Sequence, residues 1–194
     1  IRRPPRSTLF PTRRSSDLAD GVRLVGAVYD GQLHTSADGG ATWTPRGSYQ
    51  SWKAVASSAD GARLIAAASS GQIYTSPDAG LTWSPSESNR NWYAVASSAD
   101  GTRLAATVWS GKIYTSADAG TSWTARESSR IWTSIASSAD GTKLVAVASG
   151  GQIYTSADAG TNWTARESNR SWQAAASSAD GTRLVAAVQN GLLY

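Results

Sequence analysis

The sequence predicts an all-β fold: a β-propeller of four-stranded antiparallel blades, with about four and a half blades in this chain and therefore an incomplete ring. The prediction rests first on a repeat of 40 residues from Ala19 onward, marked by a tryptophan in register at Trp52, Trp92, Trp132 and Trp172. It rests also on content, because each repeat reads as short strand-like segments bounded by turn residues, with no helical spacing. A period of ~40 residues with this content is typical of propeller blades.

Each repeat contains four strand-like segments, which we call A to D. In the repeat 51–87 they are "WKAVASS", "RLIAAAS", "QIYTS" and "TWSPSE". Segments A and B are joined by Ala-Asp-Gly, and B and C by pairs such as Ser70-Gly71, which accept the positive φ angles of a two-residue hairpin. Strands B and C should therefore pair antiparallel. The many small side chains in A to C suit a sheet packed between two neighbouring sheets.

The chain divides into a head, residues 1–18, and a partial propeller, residues 19–194. The predicted blades are 19–47 (partial), 51–87, 91–127, 131–167 and 171–194 (partial). The head shares nothing with the repeats and resembles the conceptual translation of a sequencing adapter, so we expect a non-native or disordered segment on a metagenomic fragment. The native protein is expected to have more blades than this chain.

Charge and hydropathy exclude two classes of partner. The head holds five Arg and one Asp, whereas the remaining residues hold 13 Lys and Arg against 13 Asp and Glu, so the propeller itself has no basic nucleic-acid footprint. No run of 18 apolar residues occurs, which predicts no membrane insertion. The oligomeric state cannot be predicted from these features.

The turn between segments C and D carries the motif Ser-x-Asp-x-Gly-x-Thr-Trp four times. A carboxylate in a tight turn accepts hydrogen bonds from backbone N–H groups, the glycine permits a left-handed backbone, and the tryptophan packs the start of strand D. The third and fourth copies replace the threonine with Ser122 and Asn162. The structural residues of the motif are Ser36, Asp38, Gly40, Trp43, Ser76, Asp78, Gly80, Trp83, Ser116, Asp118, Gly120, Trp123, Ser156, Asp158, Gly160 and Trp163.

These four copies resemble the Asp-box, or BNR repeat, of the sialidase-like superfamily of propellers. The resemblance implies that the motif is a scaffold element lying away from the active face. It also implies a secreted or cell-surface protein. The arginine triad, the Tyr–Glu pair and the Arg-Ile-Pro motif of sialidases cannot be assigned here, since Arg, Tyr and Glu recur at repeat positions and no Arg-Ile-Pro occurs.

No residue pattern predicts catalysis or a metal in this segment. One aspartate per turn is too few ligands for calcium. His34 is the only histidine, cysteine is absent, and His34 stands where other repeats have tyrosine, which indicates a structural role. We therefore expect no catalytic residue, no metal and no cofactor.

Loop variation indicates where a ligand would bind. Antiparallel geometry places the A–B and C–D turns on one face and the B–C and D–A loops on the other. The first face is nearly invariant among repeats, whereas one B–C position holds Tyr29, Ser69, Trp109, Ser149 and Gln189. The candidate ligand-binding residues on this second face are Trp109, Arg90, Asn91, Trp92, Arg130, Trp132, Arg170 and Trp172.

The repeated Trp and Arg have a second interpretation, in which each Trp packs between blades and each Arg pairs with the glutamate three residues earlier (Glu87, Glu127 or Glu167). Trp109 has no counterpart in other repeats and is the best single candidate. The sequence thus predicts a non-catalytic binding or interaction module that recognises a glycan or a protein partner. Two alternatives stay open: a fragment of a sialidase-like glycoside hydrolase whose catalytic blades are missing, and a structural repeat module of a large surface protein.

Overall fold

A computed structural model of the 194-residue chain describes residues 22–194 and the backbone of residues 12–17. Every regular element in this described part is a strand, which confirms the all-β prediction. None of it forms a helix long and apolar enough to cross a membrane. The strands are β1 (Thr12–Asp17), β2 (Leu24–Val28), β3 (Gly31–Ser36), β4 (Thr44–Gln50), β5 (Trp52–Ser57), β6 (Leu64–Ala68), β7 (Gly71–Ser76), β8 (Ser84–Arg90), β9 (Trp92–Ser97), β10 (Leu104–Val108), β11 (Gly111–Ser116), β12 (Thr124–Arg130), β13 (Trp132–Ser137), β14 (Leu144–Ser156), β15 (Thr164–Ser177) and β16 (Leu184–Val188).

The strands form four four-stranded antiparallel sheets in chain order, β1–β4, β5–β8, β9–β12 and β13–β16. The first three sheets are predicted blades, the fourth combines the fourth blade with the start of the fifth, and the described residues do not close them into a ring. Strand β14 contains both the B and the C segment of the fourth blade and pairs with β13 and β15. Strand β15 runs on from segment D into the next segment A, which pairs with β16 from Trp172 to Ser177. The last C segment is reduced to a single bridge between Ala187 and Leu193.

The predicted head overlaps the first sheet. Residues 12–17 pair antiparallel with β2, with Ser16 opposite Val25, and so occupy the position of strand A in a blade that was predicted to lack one. Residues 1–11 and 18–21 lie outside the described part of the chain. The prediction of a non-native or disordered head at 1–18 therefore stays a prediction.

The apolar core lies between consecutive blades rather than within one. Ile65 and Ala67 of the second blade cluster with Trp92, Leu104 and Ala106 of the third, all at least 94 % buried. Strands A to C supply these residues, whereas the outer strand D is mostly exposed and polar. Each Trp at the start of strand A is buried between two blades in this way. The 40-residue repeat of the sequence therefore corresponds to a repeated interface between blades.

The sequence predicted positive φ angles at the residue pairs of the B–C turns, and the structure has a positive φ at one residue of each pair. Only the first member of each pair has a positive φ, for example +54° at Ser110, and the following glycine does not. Glycine is required there by close approach, because a Cβ on Gly111 would lie 2.6 Å from Val108 Cγ1. The B–C hairpins are antiparallel as expected.

Consecutive A–B turns are joined by hydrogen bonds with the period of the repeat. The N–H of Ala59 donates to the carbonyl of Ala99 at 2.7 Å, and Ala99 donates in turn to Ala139 at the same distance. Basic side chains at the start of segment B add a second link, such as Arg63 Nη1 to the carbonyl of Asp100 at 3.4 Å. These bonds align the invariant turns on one face and leave the B–C and D–A loops together on the other.

Candidate functional site

The C–D motif is a closed hydrogen-bonded turn, as its third copy shows. Ser116 Oγ donates to Asp118 Oδ1 at 2.7 Å and accepts the N–H of Gly120 at 2.9 Å. The N–H of Ser122 donates to Asp118 Oδ1 at 2.9 Å, and Ser122 Oγ donates to Oδ2 at 2.5 Å. Gly120 has a φ of +90°, as the motif predicts. Both carboxylate oxygens therefore serve the turn.

The residues that replace threonine in this motif retain a side-chain hydrogen-bond donor. Thr42 Oγ1, Ser122 Oγ and Asn162 Nδ2 each donate to the Oδ2 of their aspartate, at 2.6, 2.5 and 2.7 Å. The donated hydrogen bonds, the Ser122 hydroxyl first, lower the pKa of Asp118 to about 2. An aspartate held ionised by its own turn is a scaffold element and a poor proton donor.

The A–B turn uses the same device, which the sequence analysis missed. Ser98 Oγ donates to Asp100 Oδ1 at 2.5 Å and accepts the N–H of Arg103 at 3.0 Å. The hydroxyl of Ser98 is the first cause that lowers the pKa of Asp100 to about 2. The signal was present in the sequence, because Ser-Ala-Asp or Ser-Pro-Asp begins both turns of every internal repeat.

The motif tryptophan connects neighbouring blades as well as its own strand D. Trp123 Nε1 donates to the carbonyl of Gly120 at 3.1 Å and to Ser86 Oγ of the preceding blade at 2.8 Å. Its ring packs against the apolar cluster shared by the second and third blades. The invariant face is thus occupied by contacts that hold blades together. No group of three metal-binding side chains occurs within the described ranges.

Cavities on the invariant face lie between consecutive blades and recur with the repeat. One of about 270 Å³ lies beside Arg103, Arg126 and Asp158, and one of about 560 Å³ lies beside Lys143 and Arg166 one repeat later. Recurrence at successive interfaces indicates a consequence of blade packing rather than a single ligand site.

Three of the candidate residues on the variable face have buried indoles. Trp92, Trp132 and Trp172 are each 0 % exposed. Each contacts a tyrosine of its own repeat edge to face, with 5.1 Å between the rings of Trp92 and Tyr114. These indoles have no free face on which a ligand could stack, because the interfaces between blades cover them. The three indoles therefore pack between blades, and ligand contact by these residues stays a prediction.

The candidate arginines make intramolecular contacts. Arg90 Nη2 lies 3.3 Å from Glu87 Oε1, and its guanidinium stacks 4.7 Å from the ring of Tyr114. Arg130 repeats both contacts, with Glu127 at 3.4 Å and a tyrosine at 4.6 Å. Arg170 stacks in the same way over Tyr194, and its Nε donates to Ser168 Oγ at 3.2 Å. The Glu–Arg pairing expected from the sequence is present for Arg90 and Arg130.

Trp109 and Asn91, in contrast, line a depression on the variable face. The depression measures about 280 Å³ and lies between the second and third blades, and we call it the Trp109 depression; it is lined by Lys53, Ser69, Asn91, Trp92, Tyr93 and Trp109. Trp109 is 40 % exposed, and its ring centroid lies 4.8 Å from that of Tyr93 at a tilt of 43°. Lys53 and Tyr93 were not among the sequence candidates.

Backbone and side-chain hydrogen bonds hold the loops of this depression in place. The N–H of Trp109 donates to the carbonyl of Asn91 at 2.8 Å, which joins the B–C loop to the D–A loop. Ser70 Oγ donates to Asn91 Oδ1 at 2.9 Å and orients the amide. On the other side, Lys53 Nζ lies 4.7 Å from the ring centroid of Tyr29, a cation–π contact that extends the aromatic surface to the first blade.

The set of residues that lines the Trp109 depression does not recur in the other repeats. Besides the position of Asn91, two variable positions contribute to it: the B–C position, and the residue after the repeated Trp, which reads Lys53, Tyr93, Thr133 and Gln173. In the fourth blade Thr133 is buried and donates to the carbonyl of Trp172 at 2.8 Å. In the fifth, Gln173 Nε2 donates to Gln189 Oε1 at 3.5 Å. At these two positions the second and third blades therefore carry Lys53, Tyr93 and Trp109, whereas the fourth and fifth blades carry only uncharged polar residues.

Comparison with known proteins identifies the fold. No protein-family model and no curated protein sequence matches the chain. Among solved structures, the propeller domain of Cps50 (Swd1) from Myceliophteria thermophila has a TM-score of 0.74 at 16% identity, covering 94% of this chain and 63% of that one. An ancestral GH74 enzyme has a TM-score of 0.73 at 15% identity, covering 91% of this chain and 27% of that one. YCF48 bound to a D1 peptide has a TM-score of 0.68 at 20% identity, covering 95% and 63%.

At these identities the likeness shows the β-propeller fold alone. The chain spans less than two thirds of each of these three structures. Their functions differ by name, a glycoside hydrolase family on one side and a peptide-bound protein on the other. A propeller fold is compatible with either, so function must be argued from the Trp109 depression.

Proposed function

We propose that this chain is a non-catalytic binding or interaction module that recognises a glycan or a protein partner on its D–A/B–C face. The observation that carries the proposal is the Trp109 depression, which breaks the symmetry of the repeats with a partly exposed tryptophan, a lysine and an amide. Exposed aromatic groups beside a few fixed polar groups are typical of ligand sites. The hydrogen bonds to Asn91 support preorganisation of the site.

The family assignment belongs to the same proposal. Four Ser-x-Asp-x-Gly motifs with one hydrogen-bonding scheme support an Asp-box propeller of the sialidase-like superfamily. From that resemblance we also propose a secreted or cell-surface location. Detection of the protein in the medium of its host, or its absence there, tests the location.

A glycoside hydrolase fragment is the first alternative, and the GH74 neighbours favour considering it. Hydrolysis of a glycosidic bond generally uses two carboxylates in different environments. Glu87 and Glu127 lie paired with arginines, and Asp30 accepts a hydrogen bond from Ser51, so these carboxylates of the described loops serve the scaffold. The near identity of the repeats supports a second alternative, a structural module of a large surface protein.

The test is a screen of glycan and peptide arrays with the wild-type chain, Trp109→Ala and Tyr49→Ala. Tyr49 is 73 % exposed, lies outside the depression, and controls for the loss of any surface aromatic group. We expect hits that Trp109→Ala loses and Tyr49→Ala keeps. Hits that both variants keep would move the site elsewhere, and hydrolysis of an aryl glycoside by the wild-type chain would favour the enzyme alternative.

A further inference from the structure

The Trp109 depression offers no backbone N–H group to a ligand at its two B–C loop residues. The N–H of Ser69 donates to the carbonyl of Ser51 at 2.9 Å, and that of Trp109 donates to the carbonyl of Asn91 at 2.8 Å. A peptide that adds as a β-strand depends on such groups. At the B–C loops, recognition therefore depends on side chains.

The side chains of the depression are rich in donors and poor in acceptors. The ammonium of Lys53, the indole N–H of Trp109 and the amide N–H₂ of Asn91 are donors. The amide oxygen of Asn91 already accepts from Ser70. No carboxylate is present among the described residues that line the depression, and the other side-chain acceptors there are the hydroxyls of Ser69 and Tyr93, each of which is also a donor.

This imbalance distinguishes between ligand classes. Each hydroxyl of a sugar is a donor as well as an acceptor, and a site that buries it must satisfy both. A proline residue has a carbonyl acceptor and no N–H donor. A proline-rich segment therefore matches a site that supplies donors, whereas a saccharide would also need acceptors, which the side chains of this site supply mainly through two hydroxyls.

The aromatic lining of the depression also favours a proline-rich ligand. The rings of Trp109 and Tyr93 contact each other in the lining of the depression, and Lys53, which also lines it, lies against Tyr29. Proline-rich segments in the polyproline II conformation dock in grooves lined by aromatic side chains. The volume of about 280 Å³ is near the lower end of the roughly 300–1,000 Å³ usual for ligand pockets, and suits a short contact segment.

We infer that the Trp109 depression binds a proline-rich peptide segment of a protein partner, with proline rings against Trp109 and Tyr93 and peptide carbonyls facing Lys53, Asn91 and the Trp109 indole. The inference rests on the proposed binding function and names its ligand class. Tyr29, which is 51 % exposed and lies next to Lys53 outside the depression, extends the surface on which the segment would continue.

The experiment follows the indole N–H signals in a ¹H–¹⁵N spectrum during titration with an acetylated decaproline peptide. The chain has nine tryptophans, and the signal missing from the Trp109→Phe spectrum assigns that residue. We expect decaproline to shift the Trp109 signal, and a Gly-Ser peptide of equal length to leave it unchanged. Trp109→Ala should raise the Kd about tenfold or more, since truncation of a central aromatic anchor has effects of this size.

Two variants test the hydrogen-bond donors of the site, the indole N–H of Trp109 and the ammonium of Lys53. Trp109→Phe keeps a ring and loses the N–H, so we expect a smaller rise in Kd than for Trp109→Ala. Lys53→Met should weaken decaproline binding, whereas Lys112→Met, which removes an exposed lysine outside the depression, should not. Dispersed signals from the other indoles show that each variant is folded.

The outcomes separate this inference from the proposed function. If cellohexaose shifts the Trp109 signal and decaproline does not, the proline-rich class is wrong and a binding site at Trp109 stands. If decaproline binds with equal affinity to the wild-type chain and Trp109→Ala, the inference is overturned at this site. If, in addition, no array hit depends on Trp109, the proposed function is overturned as well.

Discussion

At the scale of single residues, the most repeated chemistry is the Ser-x-Asp pair. It closes the C–D turns through bonds such as Ser116 Oγ to Asp118 Oδ1, and the A–B turns through bonds such as Ser98 Oγ to Asp100 Oδ1. In both, the serine hydroxyl also accepts a backbone N–H, and the carboxylate accepts another. The carboxylates are therefore stabilised in their ionised form, and their pKa values fall.

The lowered pKa values predict that the stability of the fold decreases at acidic pH and is nearly independent of pH near neutrality. The hydrogen bonds lower the pKa of all eight described turn aspartates: Asp38, Asp60, Asp78, Asp100, Asp118, Asp140, Asp158 and Asp180. Because each folded-state pKa lies below the unfolded value of about 3.9, the contribution of these groups to stability is present above pH ~4 and is lost as the pH falls through the folded-state pKa, which is about 2 for Asp38, Asp100, Asp118, Asp140 and Asp158. Urea midpoints followed by tryptophan fluorescence should be nearly constant from pH 7 to 5 and fall steeply below pH ~4.

The variant Asp118→Asn provides the control for this assignment, because it removes one titrating carboxylate whose pKa is about 2. It should lower the midpoint at pH 7 and make the acid dependence shallower. A midpoint that declines mainly between pH 7 and 5 would contradict the role of the turn aspartates.

At the scale of elements, each of the four strands D carries an irregularity. The register with strand C shifts between Gly71 and Ile73 in the second blade, and Glu87 has a φ of +56° opposite this shift. Gln72 Nε2 donates to the carbonyl of Glu87 at 2.9 Å and holds the bulge. Strand D is the outer edge of each sheet, and a bulge there limits pairing with a foreign strand.

Substitution at Glu87 tests the backbone requirement. Glu87→Val should lower the free energy of unfolding by about 1–2 kcal/mol, because a β-branched residue is strained at positive φ. Glu87→Gly should be close to neutral, since Gly47 occupies the same position in the first blade with a φ of +65°. Both are measured by urea denaturation, and equal destabilisation by valine and glycine would assign the effect to the lost Arg90 contact instead.

At the scale of the whole molecule, the apolar contacts that stabilise the fold lie between blades. The last segment B is less buried than the same segment one repeat earlier. Leu144 is 5 % exposed, beneath the fifth segment A, whereas Leu184 holds the same repeat position and is 43 % exposed. Val145 and Val185 show the same contrast, 1 % against 43 %. In a linear array of blades, each interface contributes its own term to stability.

Two identical substitutions one repeat apart measure this term. Leu144→Ala should lower the free energy of unfolding by about 2–5 kcal/mol, as expected for a buried leucine. Leu184→Ala should cost less than about 1 kcal/mol, because little apolar area is lost. The comparison uses urea midpoints of the two variants under identical conditions. Equal shifts would mean that the exposed leucine is covered in solution.

A feature of the fold could be predicted from the sequence where it depends on residues that lie close together in the chain. The 40-residue period, the four strands of each blade and the closed C–D turns follow from residues close together in sequence, and the structure has them. The buried packing of Trp92, Trp132 and Trp172 was one of two interpretations until the blades were placed. The reason for glycine at Gly111 was mistaken, because its close approach to Val108 is not visible in a turn signature.

The sequence by itself determined the architecture, because a repeated pattern of strands and turns leaves few ways to bury one face of each sheet. Only the tertiary structure decided the site. Lys53 and Trp109 lie 56 positions apart, and both line one depression because two blades pack side by side. Which loop side chains converge depends on the orientation of one sheet against the next, and that orientation arises from the packed interface rather than from any single segment.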